Sequence, residues 1–396
     1  MEQVGLGKWR PHLETFAVFL LTTYVSLEIK RLYGGPVVGA WPRDEIESAL
    51  HILAWLGLAC GLTYRPQTLS ALASKWSASA LLALSGLVIV AASLVAFNPV
   101  LTGDTLHGNA VFNSLWLTYL APAALIWLTS RSLANVSLSA WRHYVEMAAV
   151  ALVTVFVSLE IKRLYAGPIL DAWPADELES ALLVLAWLCL ACGVIYRSSM
   201  FTSPAGAWSG RGLVALSVLG VVGASLLAYN PVIITTPLHG NVLFNSLLLA
   251  YVVPIAMLAL IVKKLDVVGW QKLVPAFGGL ALVLALTYVT LETKRVFQGP
   301  SMTPWSQSTA ESYAYSAVWL LSALALFVTG IRMQRQYIRY AGLGVMSLVV
   351  LKVFAWDMAG LDGIYRILSF FGLGACLIGI GWLYTRYVHK PADTAN

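Results

Sequence analysis

Charge is what this chain has least of. Only 11% of its 396 residues are Asp, Glu, Lys or Arg, against about 25% in soluble domains. That shortage excludes an ordinary water-soluble globule. Cysteine is scarce too: Cys60, Cys189, Cys192 and Cys376 all lie inside apolar runs. Cys189 and Cys192 form a C-x-x-C, but 132 residues earlier the same places hold Gly57 and Cys60. The pair therefore reads as small packing residues, not as a redox or metal motif. Basic blocks and interleaved aromatic and basic residues are missing, which excludes nucleic acid as a partner despite the net charge of +6. No A-x-A site follows the first apolar run near Phe16, so that run is expected to be a first span, not a removable leader.

What the chain has instead is apolar length. Hydrophobic residues make up 59% of it and the mean hydropathy is +0.76. They come in windows of roughly 20 residues, enough to cross a hydrocarbon core about 30 Å thick. Twelve segments can be counted, at about 12–33, 44–64, 76–97, 110–130, 142–165, 176–196, 211–229, 241–262, 273–297, 308–331, 338–357 and 364–386. The expected fold class is all-α and integral to the membrane.

Val25–Tyr33 (VSLEIKRLY) returns as Val157–Tyr165 and, as VTLETKRVF, at Val289–Phe297, so Glu28, Glu160 and Glu292 are 132 residues apart. A recurrence this long and this regular implies one structural unit used three times. The expected units are 1–133, 134–265 and 266–396, each of four spans and all in the same orientation, because an even number of crossings returns the chain to its starting side. Lysine and arginine on alternate sides number 16 and 9, with both termini on the richer side. The positive-inside rule then puts both termini in the cytoplasm. The opposite, outer side holds 14 of the 19 carboxylates.

Each unit's first span ends in Leu-Glu-x-Lys-Arg, giving the outer clusters Glu28, Lys30, Arg31; Glu160, Lys162, Arg163; and Glu292, Lys294, Arg295. Glycine-proline and a tryptophan follow, and the next span opens with a carboxylate at Glu47, Glu179 or Glu311. Glu28 and Arg31 stand at i and i+3 on one helix face and can pair. Asp44 and Asp176 are placed as helix caps, replaced by Ser308 in the third unit, where Glu45 and Glu177 become Thr309. Glu47, Glu179 and Glu311 lie too far in to be caps, and an acid at that depth needs a partner. The expected partner is the Lys-Arg pair of the preceding span. The competing reading of the same clusters is a site for an anionic headgroup or a saccharide.

The second half of each unit carries a polar hairpin. Asn98 and Asn113, and likewise Asn230 and Asn245, flank it and are expected to hydrogen-bond across it, because free amides near lipid are costly. In the third unit Asp357 and Arg366 stand in their place and are expected to form an ion pair. His107 and His239 each stand alone beside Gly-Asn, with no counterpart in the third unit. A loop histidine bonded to its own hairpin is the expectation. Neither a metal nor a cofactor is expected.

The run LEIKRLYAGP with its following Glu-Ser…Trp span resembles a bacterial family of multi-spanning membrane proteins, domain of unknown function twenty-three thirty-nine. So does KVFAWDMAGLDGIYRILSFFGLGACLIGIGWLYTR at Lys352–Arg386. The resemblance implies an inner-membrane location and carries no catalytic residues. Many members look longer, so this chain is expected to be a short member or the C-terminal part of the pattern.

Three functions are compatible with these residues. The first is a non-catalytic protein that binds a lipid, a glycan or an envelope protein at its outer face. The second is a small-solute transporter or channel, against which mid-span positions read Leu, Ala, Val and Gly. The third is an outer-leaflet enzyme acting on lipid-linked substrates. Against it, the best acid-base candidates occur in triplicate, as packing devices do and catalytic sites seldom do.

Overall fold

The computed structural model describes residues 6–35, 39, 42–109, 111–201, 204–241, 244–304, 308–354 and 364–387. Of the described residues 83% are helical and none forms a strand. In order the helices are α1 (Leu6–Gly34), α2 (Glu45–Tyr64), α3 (Ala71–Val88), α4 (Pro99–Thr102) and α5 (Ala121–Ser132). They continue as α6 (Arg142–Ala166), α7 (Glu177–Tyr196), α8 (Ala205–Gly220), α9 (Pro231–Ile234), α10 (Val253–Val262) and α11 (Leu265–Val268). The last four are α12 (Val274–Gln298), α13 (Thr309–Arg332), α14 (Gln336–Lys352) and α15 (Ile364–Tyr387). Among the described residues seven helical stretches are long and apolar enough to cross a membrane, which makes this a multi-pass membrane protein. In hydrocarbon every backbone polar group needs an internal partner, and helices provide one at each residue.

Helix starts follow the capping chemistry. Asp44 caps α2 by accepting the Glu47 amide at 2.9 Å, and Ser308 caps α13 by accepting the Glu311 amide at 3.1 Å. Asn98 and Asn230 cap the one-turn helices α4 and α9, each of which has proline at its first position. These short helices occupy the hairpin, so the segment expected from residue 110 begins as a helix only at 114.

Among the described residues, π-helical stretches include Ile89–Ala96, Trp116–Leu120, Val221–Ala228 and Leu248–Val252. Their widened turn brings the Phe97 amide onto the Ala92 carbonyl, five residues back, and Tyr229 onto Ala224 in the same way, both at 2.8 Å. Carbonyls in the last turn of such a helix lack an intrahelical donor. The hydroxyl of Tyr119, fully buried, donates to the Ser93 carbonyl at 2.5 Å, and Tyr251 donates to Ser225 at 2.7 Å.

The chain forms two compact units. One comprises Met1–Ala175, Leu182–Val218 and Asp266–Gly269; the other comprises Asp176–Ala181, Leu219–Leu265 and Trp270–Asn396. The core of the first gathers Leu56 of α2, Leu81 of α3, Ile126 of α5, and Leu152 and Phe156 of α6. Lipid is as apolar as these side chains, so close packing and hydrogen bonds hold such a core. Small residues make the closeness possible: Ser77 and Ser85 on α3 are buried, as are Ser209 and Ser217 on α8. In the second unit Ala323, Val345, Met346 and Val349 join α13 to α14. A Cβ on Gly342 would sit 2.7 Å from the Phe327 amide nitrogen, so these two helices touch backbone to backbone.

Removing the buried donor isolates the tyrosine contribution. Tyr119→Phe and Tyr251→Phe should each destabilise the protein by about 1–3 kcal/mol, the cost of a buried acceptor left unsatisfied. Reversible unfolding in detergent micelles measures this, with the exposed Tyr24→Phe as a control expected to change nothing.

Candidate functional site

The recurring VSLEIKRLY segment is a joint, and each of its polar residues has a separate partner. Its hydroxyl receives an indole: Trp55 Nε1 donates to Ser26 Oγ at 2.9 Å, Trp187 to Ser158 at 2.9 Å, and Trp319 to Thr290 Oγ1 at 2.8 Å. Those contacts tie the end of α1 to α2, α6 to α7 and α12 to α13. The recurrence of Trp55, Trp187 and Trp319 was the available signal for them. That the partner is the motif's own hydroxyl is visible only in three dimensions.

The lysine reaches the acid inside the next helix. Lys30 Nζ lies 3.4 Å from Glu47 Oε1 and donates to the Gly39 carbonyl at 2.9 Å. Lys294 Nζ lies 3.6 Å from Glu311 Oε1. Both carboxylates are 2% exposed and hold further donors. The Arg43 amide reaches Glu47 at 2.8 Å, while Gln298 Nε2 and the Tyr315 hydroxyl reach Glu311 at 3.1 and 2.5 Å. In the middle copy Lys162 and Glu179 are also buried, and the Glu179 backbone amide donates to the capping Asp176 Oδ1 at 2.9 Å. Burying an ion stabilises nothing by itself, but removing one member of such a pair strands the other charge at a cost of about 3–5 kcal/mol.

Glutamate and arginine of the motif reach backwards to the hairpin that precedes them. Asn113 Nδ2 donates to both Glu160 oxygens, at 3.2 and 2.9 Å, and Asn245 Nδ2 to both Glu292 oxygens, at 3.3 and 3.2 Å. Arg163 donates to the Gly108 carbonyl at 3.1 Å and to that of Asn109; Arg295 donates to the Asn241 carbonyl at 2.7 Å. The Leu106 amide closes the same joint on the Pro168 carbonyl, and Leu238 does so on Pro300, both at 2.9 Å. In the first copy Glu28 and Arg31 pair with each other at 3.0 Å, and Arg31 is 66% exposed.

This arrangement corrects the expectation for the hairpin amides. Asn98 and Asn113 do not bond to each other, nor do Asn230 and Asn245. Asn98 accepts the Val100 amide at 3.0 Å and donates to Leu94; Asn230 accepts the Val232 amide at 3.1 Å and donates to Leu226. An Asn-Pro step that starts a helix spends its side chain on the cap. The other asparagine finds a carboxylate, a stronger acceptor than a neutral amide. The expected Asp357–Arg366 pair lies outside the described residues. Glycine is required at the tip, where Gly108 (φ 103°) and Gly240 (φ 99°) are left-handed and bridged to Asn113 and Asn245. A Cβ there would meet the backbone oxygen of Phe112 or Phe244 at 2.5 or 2.3 Å.

The histidines also differ from expectation. His107 Nδ1 lies 2.9 Å from Glu45 Oε1, and His239 Nδ1 lies 3.2 Å from Glu177 Oε1, so each ring leaves its own hairpin for the start of a helix. A carboxylate only accepts, hence Nδ1 carries the proton. That hydrogen bond with Glu45 raises the His107 pKa above its ordinary value. One buried ring gave no repeat signal. His51, on α2, places Nδ1 2.7 Å from the Glu47 carbonyl and Nε2 3.2 Å from the Ser26 carbonyl, whereas its equivalents are Leu183 and Tyr315.

Two outcomes follow from this geometry. Asn113→Leu should cost about 1.5–3 kcal/mol, the range for a hydrogen bond to a charged group, and should be non-additive with Glu160→Gln but additive with Asn98→Ala in unfolding measurements. Because the folded pKa of His107 is raised, its bond to Glu45 should contribute fully below the unfolded value of about 6.5. That contribution should fade as pH rises through the folded value; a thermal-stability profile against pH should show the loss in the native chain and not in His107→Gln.

No curated protein and no solved structure matches this chain. A family model does match, over residues 2–173 and 134–387. The chain therefore belongs to the family described as predicted membrane protein (DUF2339).

Proposed function

We propose that this protein is a non-catalytic component of a bacterial inner membrane that binds a lipid at its outer face. In this reading residues 1–133, 134–265 and 266–396 are three parallel four-helix repeats, their twelve crossings leave both termini in the cytoplasm, and the hairpins face outward. The alternating-side excess of lysine and arginine supports that orientation.

One observation carries the ligand class. Beside the first hairpin lies an open groove of about 540 Å³. Its wall is apolar, built from Phe112, Trp116, Leu117 and Leu120, and His107 and Asn113 stand at its polar end. An apolar trough ending in hydrogen-bonding groups at the helix ends is suited to one acyl chain and its headgroup. Catalysis is disfavoured by the same polar residues. Glu47, Glu160, Glu292 and Glu311 each already hold fixed donors, so none is left as an acid or base with access to substrate. A glycan or an envelope protein at the hairpin tips is the alternative ligand. Phe112 and Phe244 are more than two-thirds exposed there.

Photo-crosslinking tests the proposal. Protein reconstituted with a phospholipid carrying a photoreactive acyl chain should be labelled within 112–124, and Leu120→Trp, which fills the groove, should reduce that labelling about tenfold. Equal labelling in both proteins would remove the lipid reading. Topology is checked independently: a cysteine at Asp104 should react with an impermeant maleimide in intact cells, and one at Lys264 only after permeabilisation.

A further inference from the structure

We propose that Asp176, Glu177 and His239 form a binding site for a first-row divalent cation, with zinc as its best-matched occupant. Among the described residues these three offer ligand atoms that all lie within 4.8 Å of one another. His239 Nδ1 is 3.2 Å from Glu177 Oε1, and its Nε2 is 3.7 Å from Asp176 Oδ2. An ion bonded at about 2.0–2.2 Å to each of three ligands needs donors roughly 3–3.5 Å apart. Nδ1 and Nε2 face different carboxylates and one ion takes only one of them, so binding draws the three side chains together from that 4.8 Å spread. One imidazole and two carboxylates make a mixed nitrogen-oxygen set, which suits zinc or manganese and not calcium or a soft copper ion.

A second observation concerns charge. Glu177 is 3% exposed, yet among the described residues no lysine or arginine lies within ion-pair distance of it. Its other donors are neutral: Ser246 Oγ at 3.0 Å and Thr236 Oγ1 at 3.2 Å. A carboxylate buried this deeply requires cationic compensation, which Glu47, Glu146 and Glu311 receive from lysine or arginine. The two hydroxyls hold the carboxylate from behind, as the outer partners of metal ligands do. Elsewhere in the sequence the same residues come and go together. Asp44, Glu45 and His107 repeat the set 132 residues earlier, while Ser308 and Thr309 replace both acids where Phe371 stands in the histidine's place. Glu45 retains 16% side-chain exposure against 2% for Glu177, so the second hairpin offers the better desolvated site. The site is made by the hairpin's His239 and the start of α7, and it does not depend on what the groove binds.

The test uses the full chain in detergent micelles, stripped with chelator, incubated with zinc chloride and desalted. The native protein should retain one zinc per chain by elemental analysis, and zinc should raise its thermal midpoint. His239→Gln and Glu177→Gln should weaken retention by at least about tenfold, while His107→Gln should retain the ion. Absence of retained zinc, or retention unchanged in both variants, overturns the proposal. Should the variants fail to fold, X-ray absorption on the zinc-loaded native chain decides. A first shell of oxygen with a single imidazole supports the site, and a sulfur shell, which would point to Cys189 and Cys192, overturns it.

Discussion

A carboxylate buried near the start of a membrane helix has to find a cation, and much of this architecture follows from that requirement. Glu47 and Glu311 stand in the first turns of α2 and α13, nearly sealed from solvent. Lys30 and Lys294 answer them from the preceding helix. For the lysine to arrive, the first helix must run to the end of VSLEIKRLY and stop. Gly167 and Gly299, at positive φ, receive it at the C-terminal ends of α6 and α12. The Trp–hydroxyl bond, one helical turn below, sets the same two helices in rotational register. Ion pair and indole bond together fix both the separation and the rotation of adjacent helices.

The remaining two polar residues of the motif face the other way. Glu160 and Arg163 grip the hairpin before them, as do Glu292 and Arg295. A segment of nine residues thus serves helices on both sides of it, which explains why its charges are kept in register at 132-residue intervals. Hydrophobic matching cannot distinguish one apolar helix from another in lipid. A few directed hydrogen bonds can, and here they are gathered at the hairpin ends, where the backbone leaves helical geometry and most needs partners.

The wide turns and the hairpins belong to the same solution. The π-helical stretches Ile89–Ala96 and Val221–Ala228 end where the chain bends into α4 and α9, and a carbonyl near each end is met by a tyrosine from the next π-helical stretch. Asn98 and Asn230 then restart the helix, leaving Asn113 and Asn245 to carry the link to the following motif. Chemically similar side chains at the two flanks of one hairpin therefore do different work. All four asparagines accept an amide at a helix start, Asn113 that of Leu115 at 2.9 Å and Asn245 that of Leu248 at 3.0 Å, but only Asn113 and Asn245 also donate to a carboxylate.

Helix class, the membrane setting and the recurring segment were legible in the sequence because each rests on composition or on identity at a fixed interval. So were the caps at Asp44 and Ser308, which depend on residues three apart. Glu47 could be matched to Lys30 because a short connection leaves the end of one helix beside the start of the next. Tertiary structure decided whatever joined residues about 50 or 60 apart: Asn113 with Glu160, His107 with Glu45, and His239 with Glu177. No spacing rule reaches across a helix pair, because rotation about each helix axis chooses the partner. His51 shows the same limit most plainly: a ring held between two backbone carbonyls leaves no trace in the side-chain pattern, since carbonyls are common to every residue.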